Sequence, residues 1–438
     1  MKRYSLLAVL VSIVAGAGVV VGQGPTPRAS ADRIGKQLLG IGSVAPPSGA
    51  DAFFDDAVLQ EIRFDINTKD WETLKVNYLS NDYFPCDFTW GGLKVRNVGI
   101  RSRGTGSRSG IKPGLRVDVD HFSSDQKFLG LKSFVLRNNT QDSSNMHERL
   151  SMLLYRRLGV PASREAHTKI YVNGDYAGLY TIVESVDKAF LKRVYGEDAG
   201  YLYKYDYPTD GKPYYFEDKG SDPARYVPLP FKPETHEDNP RPEFIAQWVQ
   251  TVNQSTSATF RTAVGGYIDF QKFIRHVAVE VFVADYDGFI GNYGMNNFYA
   301  YRADPGTMFT LIPWDKSQAF LGGVNYSIWH NIADVQSSLH NRLMDRVLSD
   351  PDLNSLYLDT LLEIAKSAAD TTGSTDGRGW LEREIQREYD QIRDAALADP
   401  DKPYSNAEFE QAVNDVRTFA GLRGENVTRE VNQARGLK

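Results

Sequence analysis

An α+β fold in two lobes is predicted for this chain of 438 residues, with a sheet-rich first lobe and a helix-rich second lobe. Three observations predict it. Short runs of alternating apolar and polar residues, separated by turn residues, fill the stretch from 59 to 137. From Asp142 the apolar spacing changes to that of an amphipathic helix, and after Phe270 helical spacing dominates, interrupted by one strand pair. Hydrophobic residues make up 41% and charged residues 24%, enough to bury a large core and too apolar for wholesale disorder. The net charge of −6 gives no general attraction for nucleic acid, so any phosphate chemistry must use a local basic patch.

The chain opens MKRYSLLAVLVSIVAGAGVVVGQG, in which Lys2 and Arg3 precede an apolar run from Leu6 to Val21. Ala29 and Ala31 then have the spacing of a cleavage site before Asp32, so residues 1–31 read as the signal peptide of an exported protein. The run is also long enough for an uncleaved N-terminal anchor, the one case in which a membrane would be a partner. Cys86 is the sole cysteine, which excludes an intrachain disulfide and a lipoprotein anchor and reads as a small buried hydrophobe. Residues 32–50 are rich in Gly, Pro and Ser and read as a linker, leaving 51–438 as the folded domain, divided near residue 184 into an N-lobe and a C-lobe.

Along that domain, LQEIRFDI at 59–66 alternates as a strand, and NTKDWETLKVNYL begins with cap residues before a helix. Strand-like runs at 84–90, 93–101, 115–119 and 131–137 predict an antiparallel sheet. DSSNMHERLSMLLYRRLG, from Asp142, places Met146, Leu150, Leu153, Leu154 and Leu158 on one helical face and stops at Gly159. HTKIYVNGDYAGLYTIVE at 167–184 is a hairpin turning on Asn173-Gly174, and VDKAFLKRVYG follows as a short helix. Residues 205–242, dense in Pro, Asp and Lys, read as a surface excursion within reach of a substrate. Helices are predicted at 270–284, 340–349, 352–369, 377–396 and 405–433, and a strand pair turns at Asp304-Pro305-Gly306. No internal repeat interrupts this order.

The chemistry must rest on carboxylate, amide and basic side chains. G-x-x-x-x-G-K-[ST], G-x-S-x-G and H-E-x-x-H are all missing, and the seven histidines are scattered. In RSRGTGSRSGIK at 101–112, the glycines free backbone N–H groups to turn inward while Arg101, Arg103, Arg108 and Lys112 supply positive charge. Such a loop suits phosphate; a solvated basic hairpin is the alternative. DYDGFIGN at 285–292 places Asp287 and Asn292 five apart, the offset of the Asp and Asn in the protein-kinase catalytic loop. The segment follows a helix and precedes a strand pair that ends in IPWD, which delivers Asp315 in the order in which a kinase delivers its metal-binding Asp. Asp285 and Asp287 also suit a turn or cap, and Asn296 and Asn297 compete with Asn292 for the amide role. An EF-hand is excluded because Gly288 falls at loop position 4 and Asn296 stands where Glu is required. A carboxylate closing an apolar strand, as Asp315 does, needs a partner or a metal.

The stretches RSRG…KPGLRVDVD, FLGLKSFVLRN, the D-x-x-x-x-x-E-R segment at 142–149, IYVNGDYAGLYTIVESVDKAFLKR, GYLYKYD, DYDGFIGN and NNFYAY…IPWD resemble, together and in order, the CotH kinase family. That family is named for a spore-coat protein and described as an atypical secreted or spore-associated protein kinase. The resemblance implies a remodelled kinase-like fold that uses ATP with Mg2+ or Mn2+ to phosphorylate Ser or Thr of proteins on the surface or outside the cytoplasm. It implies Asp287 as the catalytic Asp, Asp315 as the metal-binding Asp and Asn292 as a second metal ligand. Lys112 is then the candidate nucleotide lysine beside Arg103, Glu148 its ion-pair partner, and Glu184 a residue near the adenine-binding hinge. One departure matters: the family pattern is PWD-x-D, and this chain reads PWDKS, with Ser317 at the second acid. The loss of a negative charge there gives a second reading, a non-catalytic surface or coat-assembly scaffold.

Overall fold

The computed structural model describes residues 49–208, 211–332 and 340–437, so the predicted signal or anchor segment and residues 32–48 of the predicted linker lie outside the described residues. Strand β1 (Gln60–Ile66) alternates as its sequence requires, with Gln60, Ile62, Phe64 and Ile66 turned inward. It is followed by α2 (Thr68–Val76), which trails a single-turn helix α1 (Ala50–Phe53), and by β2 (Phe84–Trp90), β3 (Leu93–Ser102), β4 (Leu115–Asp118) and β5 (Ser133–Arg137). Helix α3 (His147–Arg157) separates these from the hairpin of β6 (Glu165–Val172) and β7 (Asp175–Glu184), whose turn residues Asn173 and Gly174 have φ of 51° and 96°. The expected antiparallel sheet is instead a closed barrel in the order β1-β2-β3-β4-β5-β7-β6. A parallel seam closes it, with Gln60 opposite Thr168 and Phe64 opposite Val172. Closure leaves no barrel edge to pair with another chain.

The barrel is filled by Ile62, Phe64, Phe88, Ile100, Val117 and Leu136, and α1 plugs it with Phe53. The Phe53 ring meets Phe128, Phe134 and Trp90 edge-on at 5.0, 5.0 and 5.4 Å. Burying such a ring contributes roughly 2 kcal/mol. Cys86 is buried here, as its sequence context predicts, and burial pushes its thiol pKa up.

After α4 (Lys188–Tyr195), a second sheet forms from β8 (Tyr201–Tyr205), β9 (Phe231–Pro233), β10 (Phe298–Arg302) and β11 (Phe309–Pro313), in the order β11-β10-β8-β9. The excursion expected between 205 and 242 is packed rather than superficial: Tyr214, Phe216, Tyr226 and Phe231 are buried in the main core. Helices α5 (Glu243–Gln254), α6 (Phe260–Val264) and α7 (Phe270–Phe282) lead to the site, and α8 (Arg342–Leu348), α9 (Pro351–Ala368), α10 (Trp380–Ala398) and α11 (Asn406–Ala434) complete the chain. The result is a mixed α/β fold. Helix α3 touches β6, α7 and α10, and is buried on every side from His147 to Tyr155. It starts five residues later than its periodicity suggests, because Asp142 takes the N–H groups of Ser144 and His147 at 2.9 and 2.7 Å and holds the intervening residues in a loop.

Candidate functional site

Helix α7 ends where Arg423, fully buried on α11, donates to the carbonyls of Val281 and Phe282 at 2.8 and 3.0 Å. Val281 O also accepts the N–H of Ala284 at 3.1 Å, so the guanidinium adds to the capping of the last turn. Ala284 then takes a φ of 52° and the chain turns into the 285–297 loop. Asp285 Oδ1 accepts the N–H of Asp287 at 3.1 Å, and Glu280 Oε1 accepts that of Ile290 at 3.1 Å. Gly288 lies so close to Glu280 that a Cβ would stand 1.6 Å from its Oε1.

The Asp287 carboxylate is held by two amides. Asn296 Nδ2 donates to Oδ1 and Asn297 Nδ2 to Oδ2, each at 2.9 Å. Asn297 immediately precedes β10 and Trp314 follows β11, and the register Phe298 opposite Pro313 brings the two together: Trp314 N–H donates to Asn297 O at 3.0 Å. Asp315, the next residue, has a φ of 49°, which swings it out of the strand. Thus the hairpin register delivers Asp315 to the residue that grips Asp287. Burial pushes the Asp287 pKa up to about 6; the Asn296 bond opposes this, and repulsion from Asp285 and Asp315 adds to it.

Asp315 Oδ2 accepts from Arg137 Nη1 at 2.7 Å, and its Oδ1 from Ser317 Oγ at 3.0 Å. Burial raises the Asp315 pKa, but Arg137 and Arg103 outweigh it and hold the carboxyl below its ordinary value. Arg137 also contacts Glu148 through Nε. Its direction follows from strand alternation: Phe134 and Leu136 fill the barrel, so Val135 and Arg137 face outward, toward Trp314. The Arg137 and Arg103 guanidinium carbons lie 5.2 and 5.9 Å from the Trp314 ring centre. A cleft lies here, with Arg103, Arg137, Glu148, Asn138, Asp142 and Ser317 in its wall.

Several expectations from the sequence are corrected. Lys112 does not face the acids: it is 1% exposed, with Nζ 2.6 Å from Asp399 Oδ2 and 2.8 Å from Leu179 O. Burial lowers its pKa and the Asp399 charge opposes that shift, so this lysine fastens the Gly-rich loop to the end of α10. Glu148 therefore pairs with Arg137 and not with Lys112. Arg108 is spent on the carbonyls of Gly104, Tyr78 and Ser80. Of the basic residues in that loop, Arg103 is the one that reaches the cleft. Glu184 lies outside the cleft wall, clamped by Arg164 and Arg193 at 2.6 and 2.5 Å. Asn292 is exposed, and its Oδ1 faces His330 Nε2 at 2.7 Å and Asn331 Nδ2 at 2.6 Å, so Asn296 and Asn297 take the amide places at Asp287. Arg137 is the functional candidate missed in the sequence, although a cation ending the apolar run SFVLR is the same signal that marked Asp315.

The donor set suits a hard cation only in company. Among the described residues no group of three or more His, Cys, Asp or Glu is arranged to hold a metal. Two carboxylates fit Mg2+, which is commonly bound by one or two carboxylates together with substrate phosphates and water.

The chain is 25% identical over 363 residues to the inner spore coat protein H of Bacillus subtilis (strain 168), covering 82% of this chain and 94% of that protein. A family model described as CotH kinase protein matches residues 100–427, a span that holds Arg103, Arg137, Glu148, Asp287 and Asp315. The chain belongs to the CotH family.

Proposed function

We propose that this chain is an exported ATP-dependent protein kinase with a two-lobed, kinase-like construction, which phosphorylates Ser or Thr of surface or other extracytoplasmic proteins with Mg2+ or Mn2+. The observation that carries this reading is the approach of Asp287 and Asp315 through Asn297, beside a cleft that carries Arg103 and Arg137. Asp287, with its pKa raised to about 6, suits a group that accepts the proton of an attacking hydroxyl near neutral pH. Asn296 and Asn297 fix both of its oxygens, which limits the rotation a base must avoid. Arg103, half-buried and with no hydrogen bond from its guanidinium among the described residues, would meet phosphate oxygens, and Asp315 would hold the metal. A bound Mg2+ supplies neutralisation of the charge that develops on the transferring phosphoryl group. Family membership and the signal-like N-terminus support the assignment of class and location.

A second reading, a non-catalytic coat or surface scaffold, is favoured by two features. Arg137 occupies Asp315 Oδ2, and Ser317 stands where the family pattern has an acid. The relative's name, a coat protein, fits that reading equally well. Incubation of the purified chain with labelled ATP, Mg2+ or Mn2+ and a panel of surface proteins separates the two. The kinase reading predicts incorporation that disappears in Asp287→Ala and Asp315→Ala. Incorporation surviving both substitutions contradicts the assignment, and none from the parent chain favours the scaffold.

A further inference from the structure

Lys316 directly follows Asp315 and has no exposed surface. A buried ammonium is costly to desolvate and is retained only with partners. Its Nζ donates to Asp285 Oδ2 at 2.9 Å and lies 3.9 Å from Glu280 Oε2. These two carboxylates are the groups that support the Asp287 loop from beneath. Asp285 uses its other oxygen for the Asp287 N–H, and Glu280 uses its other oxygen for the Ile290 N–H, each at 3.1 Å. Asp285 O also accepts from Tyr326 Oη at 3.3 Å, so the loop entrance is fixed from a second side. His276 Nε2 stands 3.7 Å from Glu280 Oε2, and burial with the Lys316 charge keeps that imidazole neutral.

One residue therefore spans the two halves of the site. Its backbone continues from Asp315, and its side chain reaches the underside of the loop that carries Asp287. We infer that Lys316 is a positioning residue, whose ammonium sets the Asp287 loop against Asp315 so that both acids meet one metal–nucleotide; this rests on the nucleotide reading given above. An ion pair serving the core alone would not connect these two groups.

The test uses the purified full chain as parent, Lys316→Met, Lys316→Arg, and the double variant Lys316→Met with Asp285→Asn. Mn2+ with ATP is the probe, read by the free Mn2+ resonance signal, beside phosphoryl transfer to the best acceptor of the panel. Lys316→Met is expected to weaken Mn2+ binding in the presence of ATP about 10-fold. It is expected to lower kcat about 100-fold while KM for ATP changes less than about threefold, because misplacement affects the reacting geometry more than nucleotide capture. Lys316→Arg recovers part of both. The double variant removes the buried charge together with its partner, so thermal stability returns while kcat and Mn2+ binding do not. A folded Lys316→Met chain, or a double variant, that matches the parent in both readouts overturns the inference and leaves the nucleotide reading standing. A parent that binds Mn2+ and ATP without transfer contradicts the kinase reading, and the binding arm alone then decides for or against Lys316. A parent that does neither overturns both.

Discussion

Arg137 Nη1 lies 2.7 Å from Asp315 Oδ2 while its Nε contacts Glu148, so one guanidinium joins a barrel strand, helix α3 and the strand-end acid. Glu148 is buried, and burial pushes its carboxyl pKa well up against the opposing pull of Arg137. Replacing Arg137 by Met removes the cation that both acids contact and leaves them only the Arg103 charge. Arg137→Met is expected to lose about 3–5 kcal/mol of unfolding free energy in urea titration, the range for breaking a buried pair from one side. Arg137→Lys, which keeps the charge but cannot reach both acids in the same fork geometry, should recover only part of this.

Lys112 separates the two roles that a buried lysine can have. Its contacts with Asp399 and the Leu179 carbonyl are structural, so Lys112→Met should destabilise the chain by about 3–5 kcal/mol. ATP affinity of the folded variant, measured by calorimetry below its unfolding temperature, should match the parent. A loss of affinity with unchanged stability would place Lys112 at the nucleotide after all.

How much of the candidate site is legible in the sequence depends on the range of the interactions involved. Asp315 was legible because a carboxylate at the end of FTLIP demands a partner wherever it lands. Asp287 stands out as a candidate from its place after α7. Asn292 has the kinase spacing, but spacing along a loop does not decide which amide turns inward; the β10–β11 register does, and it puts Asn297 beside Trp314. Lys112 lies in the Gly-rich loop, yet its partner is 287 residues away. Barrel closure was hidden for the same reason: the alternation in β1 predicts a strand, but nothing local predicts its parallel pairing with β6. The buried aromatics of 205–242 were masked by the Pro and Asp residues around them.

Gly288 is required by space. A Cβ there would stand 1.6 Å from Glu280 Oε1, so Gly288→Ala must push Glu280 off the Ile290 N–H. The expected cost is about 1–3 kcal/mol, as for overpacking elsewhere in cores. The change should also lower phosphoryl transfer more than it lowers ATP affinity, which a kcat and KM comparison checks.

The pH dependence follows from Asp287. Its pKa is raised to about 6, so the carboxyl is largely neutral at lower pH and becomes an effective base as pH rises through that value. The kcat/KM profile, which reports the free enzyme, should therefore rise with pH through an acid limb near 6. A profile flat across that region would mean that Asp287 does not carry the proton.

The central claim is that Asp287 and Asp315 serve one metal-bound nucleotide in the cleft beside Arg103. Anomalous scattering from crystals grown with Mn2+ and a non-hydrolysable ATP analogue tests it most directly. The account predicts a manganese peak within ligand distance of an Asp315 carboxylate oxygen, with phosphates against Arg103 and Arg137 displaced from Oδ2. A manganese peak elsewhere, or a nucleotide bound away from both acids with the Arg137–Asp315 contact intact, would contradict it.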